Sequence, residues 1–561
     1  MIGNLNTMKR LRIIWVIFAL FLLGACDAES ILPTTTPVPT SDAAAANADV
    51  IFVQAVEEEE GTWTFTVTIE HPDTGWEDYA DGWDVVLSNG EVLKPDGDSP
   101  FTRLLTHPHE NEQPFTRSQS GIVIPTGVNE VVVRAHDLVD GFGGQTVVVQ
   151  LNQSSGLNFE VERDSSSELL PQIGVTNQRQ DGNRLVYSQM DLQNTTPLDI
   201  PISGKPVWVV GVPYEEGSTL WVVALEDGRL LGYKVLAGEY ELVDLPVSQL
   251  DPAQPPAVAY DGDKIDILNI NVGKLAPFTH PVLLDSDSVA YVTDDGRLRI
   301  QGSSVYEELT IDALLDGRVL TDGSGRILLL VQPTGIYDHA VLGDDREAKA
   351  FSLVTSSGEV MERVAFYNDQ VIEGLAPLWA DLNGDGQREV IVTASNRQSG
   401  AQLVVYSEAG QQLAQGEAIG AGYRWRHQIA VAPFGPNQEI ELVDVLTPHI
   451  GGVVEFFQLR DNKLVKVAEV SGYTSHVINT RNLDMALAAD VDKDGQIELV
   501  LPTQNLDALG VIQRTDSGAE VAFEVPLNGS LSSNLAAITL PGGRMALAAG
   551  LEAGVLRVWI P

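Results

Sequence analysis

Two stretches of this chain are near copies of each other, and that duplication constrains the architecture more than any other feature. Leu378-Trp379-Ala380-Asp381-Leu382-Asn383-Gly384-Asp385-Gly386-Gln387-Arg388-Glu389-Val390-Ile391-Val392 returns as Ala488-Ala489-Asp490-Val491-Asp492-Lys493-Asp494-Gly495-Gln496-Ile497-Glu498-Leu499-Val500, with Asp381 and Asp490 109 positions apart. Between them, Val431 to Val443 is a third copy that has lost the acids, and a fourth begins near Leu535 with Leu540-Pro541-Gly542-Gly543-Arg544. The period is thus about 50 to 55 residues, a unit too small to bury its own apolar face, so it must stack on its neighbours. Each unit reads strand, turn, strand, hairpin, strand, strand, and small sheets repeated in this way pack radially as a β-propeller. Fainter units run from Val207 to Leu245, Val258 to about Ile300 and Val319 to Phe366. Seven blades is the favoured count, with six or eight as alternatives. The last unit, ending at Pro561, holds about three strands, so Arg184-Leu185-Val186-Tyr187 is expected to complete it and close the ring.

The duplicated turn reads D-x-[ND]-x-D-G-x-x-E. Asp381, Asn383 and Asp385, and likewise Asp490, Asp492 and Asp494, place hard oxygen ligands at alternate positions. Gly386 and Gly495 permit the sharp turn, Gln387 and Gln496 offer a backbone carbonyl, and Glu389 and Glu498 close the shell. The pattern resembles the calcium loop of FG-GAP (VCBS-type) repeats, as in the propeller of integrin α subunits. The resemblance is strong over two blades and weak over the others. It implies calcium as a structural cofactor at these ten positions.

Ahead of the repeats, residues 50–152 alternate apolar and polar positions in short runs, such as Trp63-Thr64-Phe65-Thr66-Val67-Thr68-Ile69 and Glu130-Val131-Val132-Val133-Arg134. Asn89-Gly90 and Pro125-Thr126-Gly127 supply turns, so the region is expected to be an immunoglobulin-like β-sandwich. Residues 153–170 then form a linker and 171–561 the propeller, making the chain all-β. In the sandwich, His107 and His109 stand two apart near Glu112, a spacing that can place two imidazoles on one side of a strand for a metal. Pro108 favours a loop there instead. Gln113-Pro114-Phe115-Thr116-Arg117-Ser118 resembles a segment that recurs in uncharacterised secreted bacterial domains, which implies a shared fold and no activity.

The N-terminus carries Lys9, Arg10 and Arg12, an apolar run from Ile13 to Leu23, then Gly24 and Ala25 before Cys26. That order of zones marks residues 1–25 as a signal peptide, with a run too short for the ~20 residues of a spanning helix. Leu23-Gly24-Ala25-Cys26 resembles the lipobox of bacterial lipoproteins, which implies a diacylglycerol on Cys26 and a membrane-anchored, extracytoplasmic chain. Cys26 is the only cysteine, so it has no disulfide partner. Residues 26–49 hold the lipidated Cys26 and a disordered Pro/Thr/Ala-rich spacer. The net charge of −44 becomes −47 without the leader's three bases, a field that repels phosphate backbones and excludes nucleic acid as a partner. A monomer is expected.

In a four-stranded antiparallel blade the first and third connections share one face. The calcium turns are first connections. The opposite face should therefore gather Arg424, Arg426, His427, His449, His476 and Arg481, together with Tyr423, Trp425 and the Tyr337-Asp338-His339 segment, as a ligand mouth. No catalytic motif of the G-x-S-x-G, phosphate-loop or H-E-x-x-H kind is present. The expected function is binding of a protein, glycan or small ligand. The alternative is a hydrolase or lyase using the histidines and arginines of that face.

Overall fold

Strict alternation builds the first module. In Thr62–Glu70 every second side chain, Trp63, Phe65, Val67 and Ile69, turns inward, as the two-residue period of a strand requires. The computed structural model describes residues 47–561 except 60, 98, 111, 126–127, 152–154, 163–171, 177–178, 286–287 and 304. The signal peptide, Cys26 and the spacer up to residue 46 lie outside the described residues. From residue 47 on, the chain packs as one compact unit.

One sheet of the sandwich runs Phe115–Val123, Thr62–Glu70, Asp49–Glu59, Phe159–Glu162, Ser155–Gly156. The other is built on Ala80–Leu87 and Glu130–Asp137, with Val147–Gln150 and two short edge strands. Trp63, Phe65, Trp83, Phe115 and Phe159 meet in the core between them. The first sheet extends past residue 152, because Phe159 and Val161 alternate inward and Val53 pairs with Phe159 in a parallel register.

The remaining sheets form a ring of eight. Blade one is Pro206–Pro213, Thr219–Leu225, Leu230–Leu236 and Glu239–Val243. Blade two has only three strands, Val258–Tyr260 and Ile265–Ile267 with Gln172–Gly174. Four-stranded blades three to seven begin at Val282, Leu320, Leu378, Arg426 and Leu487. Blade eight comprises Leu531–Leu540, Arg544–Leu551 and Val555–Trp559, completed by Leu198–Pro201. A separate apolar cluster fills each junction between neighbours, including the one joining blade eight to blade one around Trp221. The ring thus exceeds the favoured seven because the stretch read as one unit from Val258 divides into the short blade two and blade three.

The closing strand is not Arg184–Tyr187. Leu198 pairs with Val558 and Ile200 with Leu556, so the ring closes fourteen residues further on. Leu185–Gln189 instead lies inside the ring, parallel to the innermost strand of blade seven, with Leu185 opposite Ala488. Around it, residues 180–190 meet one inner strand after another. The Gln180 carbonyl accepts from Thr321 N at 2.9 Å, that of Asp181 from Trp379 N at 3.0 Å, and that of Arg184 from Ala488 N at 2.9 Å, while Met190 N donates to Asp490 O at 3.0 Å. Backbone groups that would otherwise line a wet channel are satisfied by this axial segment.

The sandwich sits on the face that carries the first connections of the blades. Ser88 Oγ donates to Asp322 Oδ2 at 2.9 Å and Arg326 Nη2 to Ser88 O at 2.6 Å. Glu130 of the sandwich receives Arg388 of blade five and, at 2.9 Å, Arg179 of the axial segment. Asp181 binds the same two arginines at 2.6 and 2.7 Å.

Candidate functional site

The duplicated turns are the first connections of blades five and seven. In the blade-five turn, Asp381 accepts from Gly384 N at 2.7 Å and Gly386 N at 2.8 Å, Asn383 Oδ1 from Asp385 N at 2.8 Å, and Asp385 Oδ1 from Gln387 N at 2.8 Å. Gly384 and Gly386 have φ of 76° and 82°, a region that a residue with a Cβ enters only at a cost. Glu389 reaches back to Leu382 N at 2.8 Å. The blade-seven turn repeats this scheme: Asp490 accepts from Lys493 N at 2.6 Å, Asp494 from Gln496 N at 2.8 Å, and Glu498 from Val491 N at 2.9 Å.

Both turns concentrate carboxyl groups where water is scarce. Burial, with Asp381 adding to it, pushes Glu389 up to about 9, and burial pushes Asp381 to about 6 and Glu498 to about 9. One carboxylate oxygen from each of Asp490, Asp492 and Asp494 falls within 4.8 Å of the other two. Crowded acids of this kind are what a hard divalent cation neutralises, and the donor set fits one. The blade-six copy needs none: Glu439 receives Asn437 N at 2.9 Å and Asn437 Nδ2 at 3.1 Å, so its carboxylate caps its own turn. The two strong copies differ in surroundings. The blade-five turn is pressed against the sandwich, with Arg134 donating to Asp385 O, whereas Gly495 of blade seven has open space around it.

On the opposite face, three of the expected histidines converge on Trp425. His427 stacks on its ring at 5.0 Å and 13°, His449 at 6.1 Å and 21°, and His476 meets it edge-on at 5.3 Å. His449 Nε2 lies 2.6 Å from His476 Nδ1, and His476 Nε2 lies 2.8 Å from Thr480 O. Since a carbonyl only accepts, His476 carries its proton on Nε2, and its Nδ1 accepts a hydrogen bond from His449 Nε2–H. Burial drives His449 down to about 4 and His476 to about 3, and moves His427 well below its ordinary value. All three are neutral near pH 7. Beside them Tyr423 stacks on His339 at 5.3 Å, and His339 is held by the buried Glu373.

The arginines do not join this group. Arg426 opens a strand in which side chains alternate, so it turns away from His427 and pairs with Asp444 at 2.8 Å and Glu455 at 2.5 Å. Arg424 is exposed and donates to Ile419 O. Arg481 is clamped by Asp316 at 3.1 Å and Asp344 at 2.5 Å. Sequence reasoning missed His280. It is buried beneath the rim, pushed to about 4, and lines a cavity of about 30 Å³ with Arg184, Arg318, Trp425 and His427. Nothing local marks it, because its neighbours come from blades distant in sequence. In the sandwich, His107 and His109 stand with ring centroids 4.7 Å apart, but His109 stacks flat on Phe115 at 3.7 Å, and Glu112 is drawn to Arg117 at 2.8 Å.

No known family profile matches the chain. A curated protein of Halomicrobium mukohataei, whose name marks it provisionally as a lipoprotein, is 46% identical over 85 residues, which is 15% of this chain. The chain spans only 38% of that relative's length. Among solved structures, BamB from Moraxella catarrhalis overlays 64% of this chain and 90% of its own at 12% identity and a TM-score of 0.32. The C-terminal WD40 domain of Sif2 covers 67% of this chain and 100% of its own at 11% identity and 0.41. A europium-containing methanol dehydrogenase covers 68% and 90% at 10% identity and 0.44.

Proposed function

We propose that this chain is an extracytoplasmic lipoprotein, anchored through Cys26, whose propeller is braced by calcium in blades five and seven and docks a protein partner on the face opposite the sandwich. The carrying observation is the placement of exposed apolar side chains. Ile336, Tyr367, Tyr423, Ile450 and Ile478 all stand in connections of that one face and all are exposed, and apolar side chains gathered on one open face mark interaction surfaces. The sandwich occupies the other face, so this one is left to a partner. The lipoprotein name of the partial relative supports the anchor, as does the lipobox-like segment before Cys26. Among the described residues no helix is long and apolar enough to cross a membrane.

Calcium would be held by Asp381, Asn383, Asp385, Gln387 and Glu389, and by Asp490, Asp492, Asp494, Gln496 and Glu498; bound there, it supplies charge neutralisation and cross-links the turn. Binding is favoured over the hydrolase or lyase reading because His449 and His476 are tied to each other and to Thr480, and both stay neutral, which ill suits a proton-transfer pair working near pH 7. A photo-crosslinking residue placed at Ile450 or Ile478 in membrane-bound protein should yield a discrete adduct that the same residue at Leu242, on the outer rim, does not. Identical patterns at all three positions would remove the docking face from the account.

A further inference from the structure

We propose that the sandwich carries a metal site of its own, separate from the propeller turns, in which His71, Asp78 and Asp137 bind a zinc-class divalent ion. The three residues arrive from different segments. His71 follows the strand Thr62–Glu70 of one sheet, Asp137 ends Glu130–Asp137 of the other, and Asp78 lies in the connection between His71 and Ala80. One ligand atom from each falls within 4.8 Å of the other two. An ion here would clasp the two sheets at one end of the sandwich.

The state of His71 is what points to a ligand. Its Nδ1 lies 2.7 Å from Asp73 Oδ1, and a carboxylate can only accept, so Nδ1 carries a proton and Nε2 has the lone pair that a second proton or a metal ion takes. That lone pair lies 2.6 Å from Asp137 Oδ2. Asp137 Oδ2 is fully buried, and no backbone N–H among the described residues is aligned on it. A ring nitrogen and a carboxylate oxygen that close share a cation, a proton or a metal ion, and Asp78 brings a third ligand atom to the same spot. The other oxygen, Asp137 Oδ1, is already taken by Val139 N and by Asp140 N at 3.0 Å, which fixes the carboxylate with Oδ2 turned to the imidazole.

The surrounding shell has the form that metal-binding histidines use, with the second ring nitrogen donating to a carboxylate that sets tautomer and orientation. Asp73 is that carboxylate. It is itself fixed by His109 N and, at 3.3 Å, by Ala80 N, which gives the His107-Pro108-His109 segment a supporting place through its backbone. Distances fit a small ion. Ligand atoms about 2.0 to 2.2 Å from a tetrahedral zinc stand roughly 3.3 Å apart. Here Nε2 is 2.6 Å from Asp137 Oδ2 and 4.0 Å from Asp78 Oδ1, so adjustments of roughly 0.7 Å in opposite senses reach that spacing. Imidazole nitrogen with carboxylate oxygen suits zinc and its neighbours better than calcium. His71 and Asp137 have side-chain exposures of 1% and 0%, but Asp78 is 41% exposed. The site opens to solvent on the Asp78 side, where a water would complete the coordination.

The test is zinc titration of the full chain carrying Cys26→Ser, so that no thiol competes, held in millimolar calcium so that the propeller turns are served. One equivalent should bind, and cobalt in its place should give visible absorption of a low-coordinate nitrogen-oxygen site. Asp78→Asn, at a half-exposed position that leaves the core intact, should weaken zinc at least tenfold, and His71→Gln should abolish it. Asp490→Asn should leave it unchanged. Absence of zinc binding by the parent chain would show His71 to be a buried ion-paired histidine and overturn the proposal. So would equal affinity in Asp78→Asn, or loss of zinc in Asp490→Asn. If His71→Gln fails to fold, Asp78→Asn alone decides.

Discussion

Replacing Glu130 with Ala should cost the folded chain about 3 to 5 kcal/mol, the range for breaking a buried ion pair from one side. Glu130, Asp181, Arg179 and Arg388 form a closed square of two acids and two bases, with side-chain exposures of 11%, 2%, 10% and 6%. Both carboxylates serve both guanidinium groups, so the loss of Glu130 removes half of the negative charge that these two buried cations share within the square. Burial raises the cost of charging Glu130, yet Arg179 and Arg388 outweigh it and hold the carboxyl below its usual range. The pair's stability is therefore fully present above about pH 4.5, the ordinary glutamate value, and is lost as pH falls through the lower folded value. Guanidinium denaturation at pH 7 measures the first effect, and the same series at pH 3 to 5 should show a flatter profile for Glu130→Gln than for the parent chain. Arg388→Leu combined with Glu130→Leu should cost less than the two single changes added together, by about 0.5 to 3 kcal/mol. A Glu130→Ala cost under about 1 kcal/mol, as for an exposed pair, or strict additivity in the double variant, would refute a shared buried network.

Two further outcomes follow from the turns and the rim. Chelation should lower the melting temperature, since ~2 mM calcium on a site of Kd near 10⁻⁴ M stabilises by about 1.8 kcal/mol. Asp490→Asn should remove about half of the calcium response in a calorimetric scan, and an unchanged response would exclude blade seven. At the rim, the depressed value of His476 means that the unfolded chain takes its proton near pH 6.5 while the folded chain waits until about 3. Stability is therefore present above pH 6.5 and is lost progressively as pH falls toward 3, by about 2 kcal/mol at pH 5 for this residue. His476→Gln should flatten that slope in melts taken from pH 7 to 5, and a parallel slope would contradict the buried neutral assignment.

What the sequence made legible was periodic. The alternation in Thr62–Glu70 gave the inward face of the sandwich, and the repeated acid turn placed two blades and, by reversal of strand direction, the opposite face on which Trp425, His427, His449 and His476 meet. What it hid was long-range. Leu185–Gln189 and Leu198–Pro201 are both short and apolar, and nothing in either tells which pairs with Val555–Trp559 and which lies along the axis. Blade two escaped as a separate unit because its first strand, Gln172–Gly174, is borrowed from the far side of blade one. Arg426 was grouped with His427 as part of a loop, but as the first residue of a strand it points the other way. The pairing of His71 with Asp137 joins positions far apart in sequence and leaves no local signature.

The axial segment also ties the ring together across long stretches of sequence. Residues 180–190 precede every strand of the four-stranded blades in sequence and are held by the innermost strands of blades four to eight, so ring and thread are joined only by contacts remote in sequence. Its last seal, Leu198–Pro201 against Val555–Trp559, brings Asp199 and Arg557 together across 358 positions. Such remote pairings fold slowly, and until they form blades one and eight each keep an open flank. A chain cut short to begin at Leu198 would retain the strands of all seven four-stranded blades but lose its axle. This wheel can be opened at the seam only by giving up the part around which it was built.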